Sequence, residues 1–372
     1  MRVRTQTPPA IIIGIVIATL IAFGAAWRIL TPKTATVSFA PAAVAGPETA
    51  MSGMNPAAIY QGRIAGVATI DSVYGTEHVG GTGFVANAQG YILTASHVVH
   101  EYSDNTAPTA IYVEFQSHDR VQAELVAIDH INDIAVLKVD PTSLSLHPVP
   151  LGDSDQLTPG QPIVAIGAPF GNEGSISAGI VSATHRMVAS QINDRSDIAD
   201  AVQFDASINP GNSGGPVFDA RGRVVGIAQQ IKTKSGSSAG VAFAIPINAA
   251  RKVMNDLVTV GHIQYAWLGL TTNAASPQFA RRYGYPSGGA IVQDVSGPAA
   301  TAGLSFGRQQ VSYLGETRML GDLIVTMAGQ PVAGPEDIAR IVARLPVGKP
   351  TEVVYYRGSE KRTATITPIE QT

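Results

Sequence analysis

His97, Asp133 and Ser213 are the residues of this chain whose types and surroundings can do chemistry together. Ser213 lies in Gly211-Asn212-Ser213-Gly214-Gly215-Pro216, a turn whose glycines let backbone N–H groups face a developing oxyanion. A serine hydroxyl is a weak nucleophile until a neighbouring base takes its proton. His97 ends the β run Gly90-Tyr91-Ile92-Leu93-Thr94-Ala95-Ser96 and can be that base. Asp133 opens the apolar run Ile134–Val139, where a buried carboxylate could orient His97 and stabilise its cation. Asp129 and Asp140 compete for that role, although Asp129 reads better as a turn carboxylate before His130-Ile131-Asn132. Asp205 reads as a support for the serine loop and His100 as surface. The expected oxyanion hole is Gly211, Asn212 and Ser213, with the amides of Gly211 and Ser213 as donors.

The order His, Asp, Ser separates this set from serine hydrolases that use the same groups in another sequence, and it is the chymotrypsin order. Gly211–Gly215 also fits the Gly-x-Ser-x-Gly elbow of α/β-hydrolases, which requires a helix after the serine and Asp and His downstream. Here Pro216-Val217-Phe218 and the turn at Arg221-Gly222 make a hairpin, and His262 alone among histidines lies downstream. Gly81-Thr82-Gly83 is no dinucleotide loop, because no helix follows it.

Elements must bring these residues together. Short β runs split by turns extend from about Ile59 to Ile245, among them Ala110–Phe115, Ala123–Asp129, Pro162–Ile166 and Val224–Gln229. Many short strands at regular spacing predict an all-β sandwich or barrels. Ala250, Val253, Met254, Leu257 and Val258 then share one helical face, and Gly261 is a plausible stop. A second module follows, with strands at Gly289–Gln293, Leu323–Met327, Glu352–Tyr356 and Thr363–Thr367, and helices at Ala299–Gly303 and Pro335–Leu345.

The chain has 372 residues, 45% apolar and 14% charged, with net charge −3, so two or three domains and a sizeable core are expected. No basic stripe points to nucleic acid. The absence of cysteine removes disulfides, thiol catalysis and Cys-type zinc sites, and no metal or cofactor is expected. Pro8–Trp27 carries no charge over 20 residues, enough at about 1.5 Å per residue to span a ~30 Å hydrocarbon core. It reads as a signal anchor, with a cleaved signal peptide ending near Gly24-Ala25-Ala26 as the alternative. The bulk of the chain is then outside the cytoplasm, held by an Ala/Pro-rich tether.

Gly90–Thr94 with His97-Val98-Val99, Asp133–Val139, Gly167-Ala168-Pro169-Phe170-Gly171 and Ser207–Pro216 resemble the HtrA (Deg) family of serine proteases, over about residues 58 to 368. The resemblance implies a mainly β chain: a chymotrypsin-like double β-barrel followed by an α+β PDZ domain, here behind an N-terminal transmembrane helix. It implies ATP-independent cleavage of misfolded or exposed polypeptide and a homotrimer. By motif match His97 is the general base, Asp133 its orienter and Ser213 the nucleophile. Trp267-Leu268-Gly269-Leu270 resembles the loop whose amides hold a C-terminal carboxylate, a peptide adding as an extra strand, unless Trp267 is only a core anchor. The chain departs from the family at Phe204, where threonine is common, and along the pocket strand Gly226–Ile231. The resemblance implies a preference for small or medium apolar side chains, with Ser207 and Ile231 as pocket walls. Ser305–Leu320 is longer than the usual link and is either a lid or an idle loop.

The expected organisation is therefore an anchor or signal segment at 1–30, a linker at 31–57, a protease domain at 58–261 and a PDZ domain at 262–368. The expected function is an inner-membrane-anchored serine endopeptidase of the envelope. It cleaves unfolded proteins or one regulatory membrane substrate, gated by C-terminal peptides at the PDZ groove. The alternative is a membrane-tethered PDZ or chaperone scaffold with a largely inactive protease shell.

Overall fold

Alternation of apolar and polar residues sets the first half of the molecule. Along Ala110–Phe115, Ile111, Val113 and Phe115 are buried while Tyr112 and Glu114 turn outward, as a strand with one face on a core requires. A computed structural model describes residues 53–101, 106–168, 174–188, 198–229 and 240–371. The Pro8–Trp27 run and Ile231 lie outside the described residues. Among the described residues no helix is long and apolar enough to cross a membrane.

Strands β1 (Val67–Tyr74), β2 (Glu77–Val85), β3 (Tyr91–Ala95), β4 (Ala110–Phe115), β5 (Arg120–Asp129) and β6 (Ile134–Lys138) close into a barrel in the order β1-β2-β3-β6-β5-β4. A second barrel contains β7 (Pro162–Gly167), β8 (Ser175–Val188), β9 (Ile198–Phe204), β10 (Pro216–Asp219), β11 (Val224–Gln229) and β12 (Ala242–Pro246), in the order β10-β11-β12-β9-β8-β7. Closure pairs the strand edges that would otherwise invite another chain. Each barrel has its own apolar interior, around Ile70, Ile92 and Leu137 in one and Val181, Phe204 and Val217 in the other.

A third cluster joins them. Phe84, Leu93 and Val136 of the first barrel meet Ile166, Phe218 and Ile227 of the second. Helix α1 (Pro56–Arg63) adds Ile59, and helix α2 (Ile247–Thr259) adds Ile247, Ala250 and Val253. The expected tether runs to residue 57, but the helix begins at Pro56, with Asn55 capping the Ala58 N–H at 3.1 Å. Proline at the first helical position and a preceding Asn cap are sequence signals of a helix start. Helix α2 stops at the expected glycine, where the Gly261 N–H returns to the Asp256 carbonyl at 3.1 Å.

The C-terminal module follows in the order β13 (Ala266–Trp267), β14 (Leu270–Ala275), α3 (Pro277–Arg282), β15 (Gly289–Val295), α4 (Gly297–Thr301), β16 (Gln310–Tyr313) and β17 (Glu316–Met319). It continues with β18 (Leu323–Met327), β19 (Gln330–Pro331), α5 (Pro335–Val342), β20 (Thr351–Arg357), β21 (Glu360–Ile366) and β22 (Ile369–Glu370). Its main sheet runs β14-β15-β18-β20-β21, with β19 on β18 and β14 at the edge. Ile338 and Ile341 of α5 are buried with Ile324, Val353 and Leu268 in the module core. The long link at Ser305–Leu320 contains a hairpin, β16–β17, rather than irregular chain.

Candidate active site

Asp133 sits on the corner between β5 and β6. The Asp129 carboxylate builds that corner: Oδ1 accepts the Ile131 and Asn132 N–H groups at 3.0 Å each, and Oδ2 accepts the Asn132 side-chain amide at 2.7 Å. An aspartate that bonds the backbone two and three residues on is a turn device. Asp133 itself takes φ +57, a left-handed conformation that costs an L residue about 1–2 kcal/mol. What it gains is burial with complete satisfaction. Its side chain has no exposure, yet Oδ1 accepts Ser96 Oγ at 2.7 Å and the His97 backbone N–H at 3.0 Å. Oδ2 accepts His97 Nδ1 at 2.7 Å and Gln229 Nε2 at 3.0 Å. A buried carboxylate is tolerable when donors surround it. A carboxylate can only accept, so His97 carries its proton on Nδ1 and presents the Nε2 lone pair.

His97 lies in a 3₁₀ turn, Ser96–Val98, at the exit of β3. The serine loop between β9 and β10 is laid against that same strand. A Cβ on Gly214 would stand 2.1 Å from Thr94 Oγ1 and 2.8 Å from the Ala95 nitrogen, so this contact exists because residue 214 has no side chain. The Gly214 N–H bonds the Ala228 carbonyl at 2.8 Å, tying the loop to β11 as well. Ser213 is buried to 5% exposure, and its carbonyl accepts the Thr82 N–H at 2.9 Å. Thr82 Oγ1 donates to the Gly211 carbonyl at 2.6 Å and accepts the Ala168 N–H at 3.0 Å. The Asn212 N–H is committed to the Asn209 carbonyl at 3.0 Å. Asn212 is therefore corrected as an oxyanion donor: the turn that shapes the loop uses its hydrogen. The N–H groups of Gly211 and Ser213 meet no acceptor among the described residues.

The remaining candidates fall elsewhere. Asp205 Oδ1 accepts the Ile180 N–H at 2.6 Å, pinning the start of the serine loop to β8. Ser207 is exposed, and its carbonyl accepts Ser177 Oγ at 2.9 Å. Asp140 caps Thr142 on the surface. The rings of His100 and His130 meet edge to face at 5.4 Å. Burial first, and His100 second, push the His130 pKa below its usual value of 6.5. Among the described residues no group of three His, Asp or Glu side chains could hold a metal.

In the C-terminal module the segment Trp267–Leu270 leaves β13 and enters β14. Trp267 pairs with Ile369, and its ring lies where a Cβ on Gly297 would stand, 2.5 Å away. The indole therefore anchors the loop from behind. Leu268 is buried at 3% exposure. Gly269 holds φ +73, and a Cβ there would stand 2.2 Å from the Ser296 carbonyl oxygen. The carbonyls of Leu268 and Gly269 accept Ala299 N–H at 2.9 Å and Ser296 N–H at 2.8 Å, while the N–H groups of these two residues meet no acceptor among the described residues.

Residues 81–227 match the model of the trypsin-like peptidase domain. The HtrA-type protease AlgW solved with a tripeptide superimposes with a TM-score of 0.67 at 32% identity, covering 86% of this chain and 98% of that one. The chain belongs to the HtrA family of serine proteases. AlgW with a decapeptide gives 0.62 at 29% identity, over 86% of this chain and 99% of that one. A probable periplasmic DegP-like serine endoprotease of Pseudomonas putida is 37% identical over 290 residues, which is 77% of this chain and 55% of that protein. This HtrA chain thus spans about half the length of the curated relatives it matches.

Two residues of the HtrA site carry no signal in the sequence. Thr82 sits in a Gly-Thr-Gly run that is informative only once the serine loop lies against it. Gln229 ends a buried strand of the second barrel and reaches across to Asp133 of the first. Neither role depends on local spacing, so no pattern along the chain exposes it.

Proposed function

We propose that this chain is a serine endopeptidase that cuts unfolded or C-terminally exposed polypeptides through an acyl-enzyme. Ser213 is the nucleophile, His97 the general base, Asp133 its orienter, and the Gly211 and Ser213 N–H groups the oxyanion donors. The observation that carries this reading is the Asp133 carboxylate, which takes four donors and so holds His97 with its proton on Nδ1 and Nε2 as the basic nitrogen. Ser213 Oγ adds to the scissile carbonyl carbon while its proton passes to His97 Nε2. That proton then goes to the departing amine. A water deprotonated by the same nitrogen adds to the acyl ester and releases Ser213.

The C-terminal module is a PDZ domain that captures peptide C termini at Trp267–Leu270. Support comes from the N–H groups of Leu268 and Gly269, which meet no acceptor among the described residues, from the open edge of β14, and from AlgW, a family neighbour solved with peptides. The module touches the protease body. Arg344, just past α5, pairs with Asp155 and Asp200, and Tyr265 Oη donates to Asp129 at 2.8 Å. Asp129 builds the corner that carries Asp133, so peptide binding beside α5 has a physical route to the catalytic carboxylate and gates the enzyme. The protease faces the periplasm, tethered by Pro8–Trp27, in keeping with its DegP-like relatives and with the length of that uncharged run. It works as a homotrimer, as the family likeness implies.

Diisopropyl fluorophosphate is expected to label Ser213, read by mass spectrometry of the digested protein. Ser213→Ala is expected to lower casein cleavage by on the order of 10⁴-fold or more, with capture of C-terminal peptides intact. Casein cleavage that survives this substitution would overturn the assignment.

A further inference from the structure

The hairpin β16–β17 is not used by anything above, and its composition is unusual. Its two central turn residues, Leu314 and Gly315, have φ +53 and +84. Two-residue hairpin turns with both φ values positive favour Asn or Gly at the first position. Here that position holds a leucine that is 87% exposed. An apolar side chain is thus held in water, in a backbone conformation unfavourable to it, at the tip of an insertion. Strained residues of this kind cluster at ligand clamps.

The base of the hairpin is firmly held. Gln293 acts like a strand partner: its Oε1 accepts the Met319 N–H at 2.8 Å and its Nε2 donates to the Met319 carbonyl at 3.1 Å. The Tyr313 ring stands edge-on to Phe279 at 5.0 Å. Arg318 pairs with Glu316 and donates to the Ala274 carbonyl at the end of β14. The tip therefore projects from a fixed base.

Beside that tip lies a largely apolar cleft of about 520 Å³, lined by Ala274, Pro277, Tyr313, Leu314, Val332 and Ala333. This is the size range of binding pockets. It stands where the edge strand β14 ends and the chain enters α5, which is the far end of the groove from Gly269. β14 has 6 residues, about 17–20 Å at ~3.3 Å per residue. A peptide pairing antiparallel with β14, its carboxylate at Leu268 and Gly269, brings its residues at about the fifth to seventh place from the end to this cleft.

We infer that the hairpin and the end of β14 form a second subsite of the peptide groove, which reads an apolar side chain upstream of the bound C terminus. The inference rests on the groove reading proposed above. The occupant is the upstream part of the same extended peptide, because the cleft adjoins the end of β14, the sheet edge that follows Leu268 and Gly269, whereas the opposite edge, β21, lies four strands away. The preferred partner is then a protein with an extended, apolar-spaced tail rather than any chain with a suitable last residue.

The test uses the full chain carrying Ser213→Ala, so that peptides are not cut, on an array of randomised decapeptides with free carboxylates. Selection is expected at the last positions and, separately, for Leu, Ile or Phe about five to seven residues upstream. Leu314→Gly suits the turn and keeps the fold. It is expected to erase the upstream preference and leave the terminal one. By fluorescence anisotropy, the best decapeptide is expected to lose about tenfold in affinity when its upstream apolar residue becomes serine, and to lose nothing further from that change in the Leu314→Gly protein. Terminal selection without upstream selection, or upstream selection that survives Leu314→Gly, overturns the second subsite and leaves the groove reading standing. No terminal selection at all overturns both.

Discussion

Among the described residues the cleft between the barrels and the Trp267–Leu270 segment of the C-terminal module each leave two backbone N–H groups without an acceptor, at Gly211 and Ser213 in one and at Leu268 and Gly269 in the other. What surrounds those amides differs. In the cleft the groups that hold the site are buried and bonded at Asp133, which has four donors, and at Thr82, which ties Ser213, Gly211 and Ala168 together. In the C-terminal module the strand that follows the amides, β14, is an edge, and Leu314 near its far end stands in solvent. Stabilising a transient charge requires donors fixed before it forms. Capturing a chain requires an open edge that the chain itself completes. The contrast is between a site the protein closes itself and an edge it leaves open.

Breaking the closed site should cost most. Thr82→Val keeps the shape and removes the donor to the Gly211 carbonyl, so the loop that carries the Gly211 and Ser213 amides loses one of its ties. Cleavage of a peptide ester is expected to fall about 10- to 100-fold in kcat, with KM nearly unchanged. Gln229→Leu removes one of the four donors to the buried Asp133 charge. A drop in unfolding free energy of about 1–3 kcal/mol is expected by urea titration, with a roughly tenfold fall in kcat. Unchanged kcat in both variants would show that the cleft needs less support than the comparison claims.

The open site should be more forgiving. Gly269→Ala forces a Cβ against the Ser296 carbonyl and disfavours φ +73. Capture of a C-terminal peptide is expected to weaken about tenfold by anisotropy, while Ser213 still reacts with fluorophosphate. The smallest effect concerns His130, next to the Asp129 corner. Its pKa is lowered in the fold by burial and by His100, so the unfolded chain takes up the proton first. Its contribution to stability is therefore intact above about 6.5 and lost as pH falls below that value. His130→Gln is expected to narrow the difference in urea midpoint between about pH 7.5 and about pH 5.5. An unchanged difference would remove His130 from the account.

Much of this was readable along the chain. Ile111, Val113 and Phe115 announce a half-buried strand by alternation alone, and the serine turn is dense with glycine because the backbone must approach Thr94 closely. The start of α1 was legible in Asn55-Pro56 but was obscured by the Ala/Pro-rich run before it. The hairpin at Gln310–Met319 was hidden for a different reason. Leu314-Gly315 is a poor turn signal, and its strands are held by Gln293 and Phe279, which come from other elements.

By itself the sequence determined which groups could do chemistry, that they lie on β structure, and that glycine had to flank Ser213. Those are local facts, set by residue type and by backbone freedom. Only the tertiary structure decided that Asn212 spends its N–H on a turn, that Thr82 and Gln229 stitch one barrel to the other, and that a leucine stands in water at a hairpin tip beside the end of β14. Such bonds join residues far apart along the chain, and no pattern of neighbours encodes which distant partner will arrive when two closed barrels meet across an apolar seam.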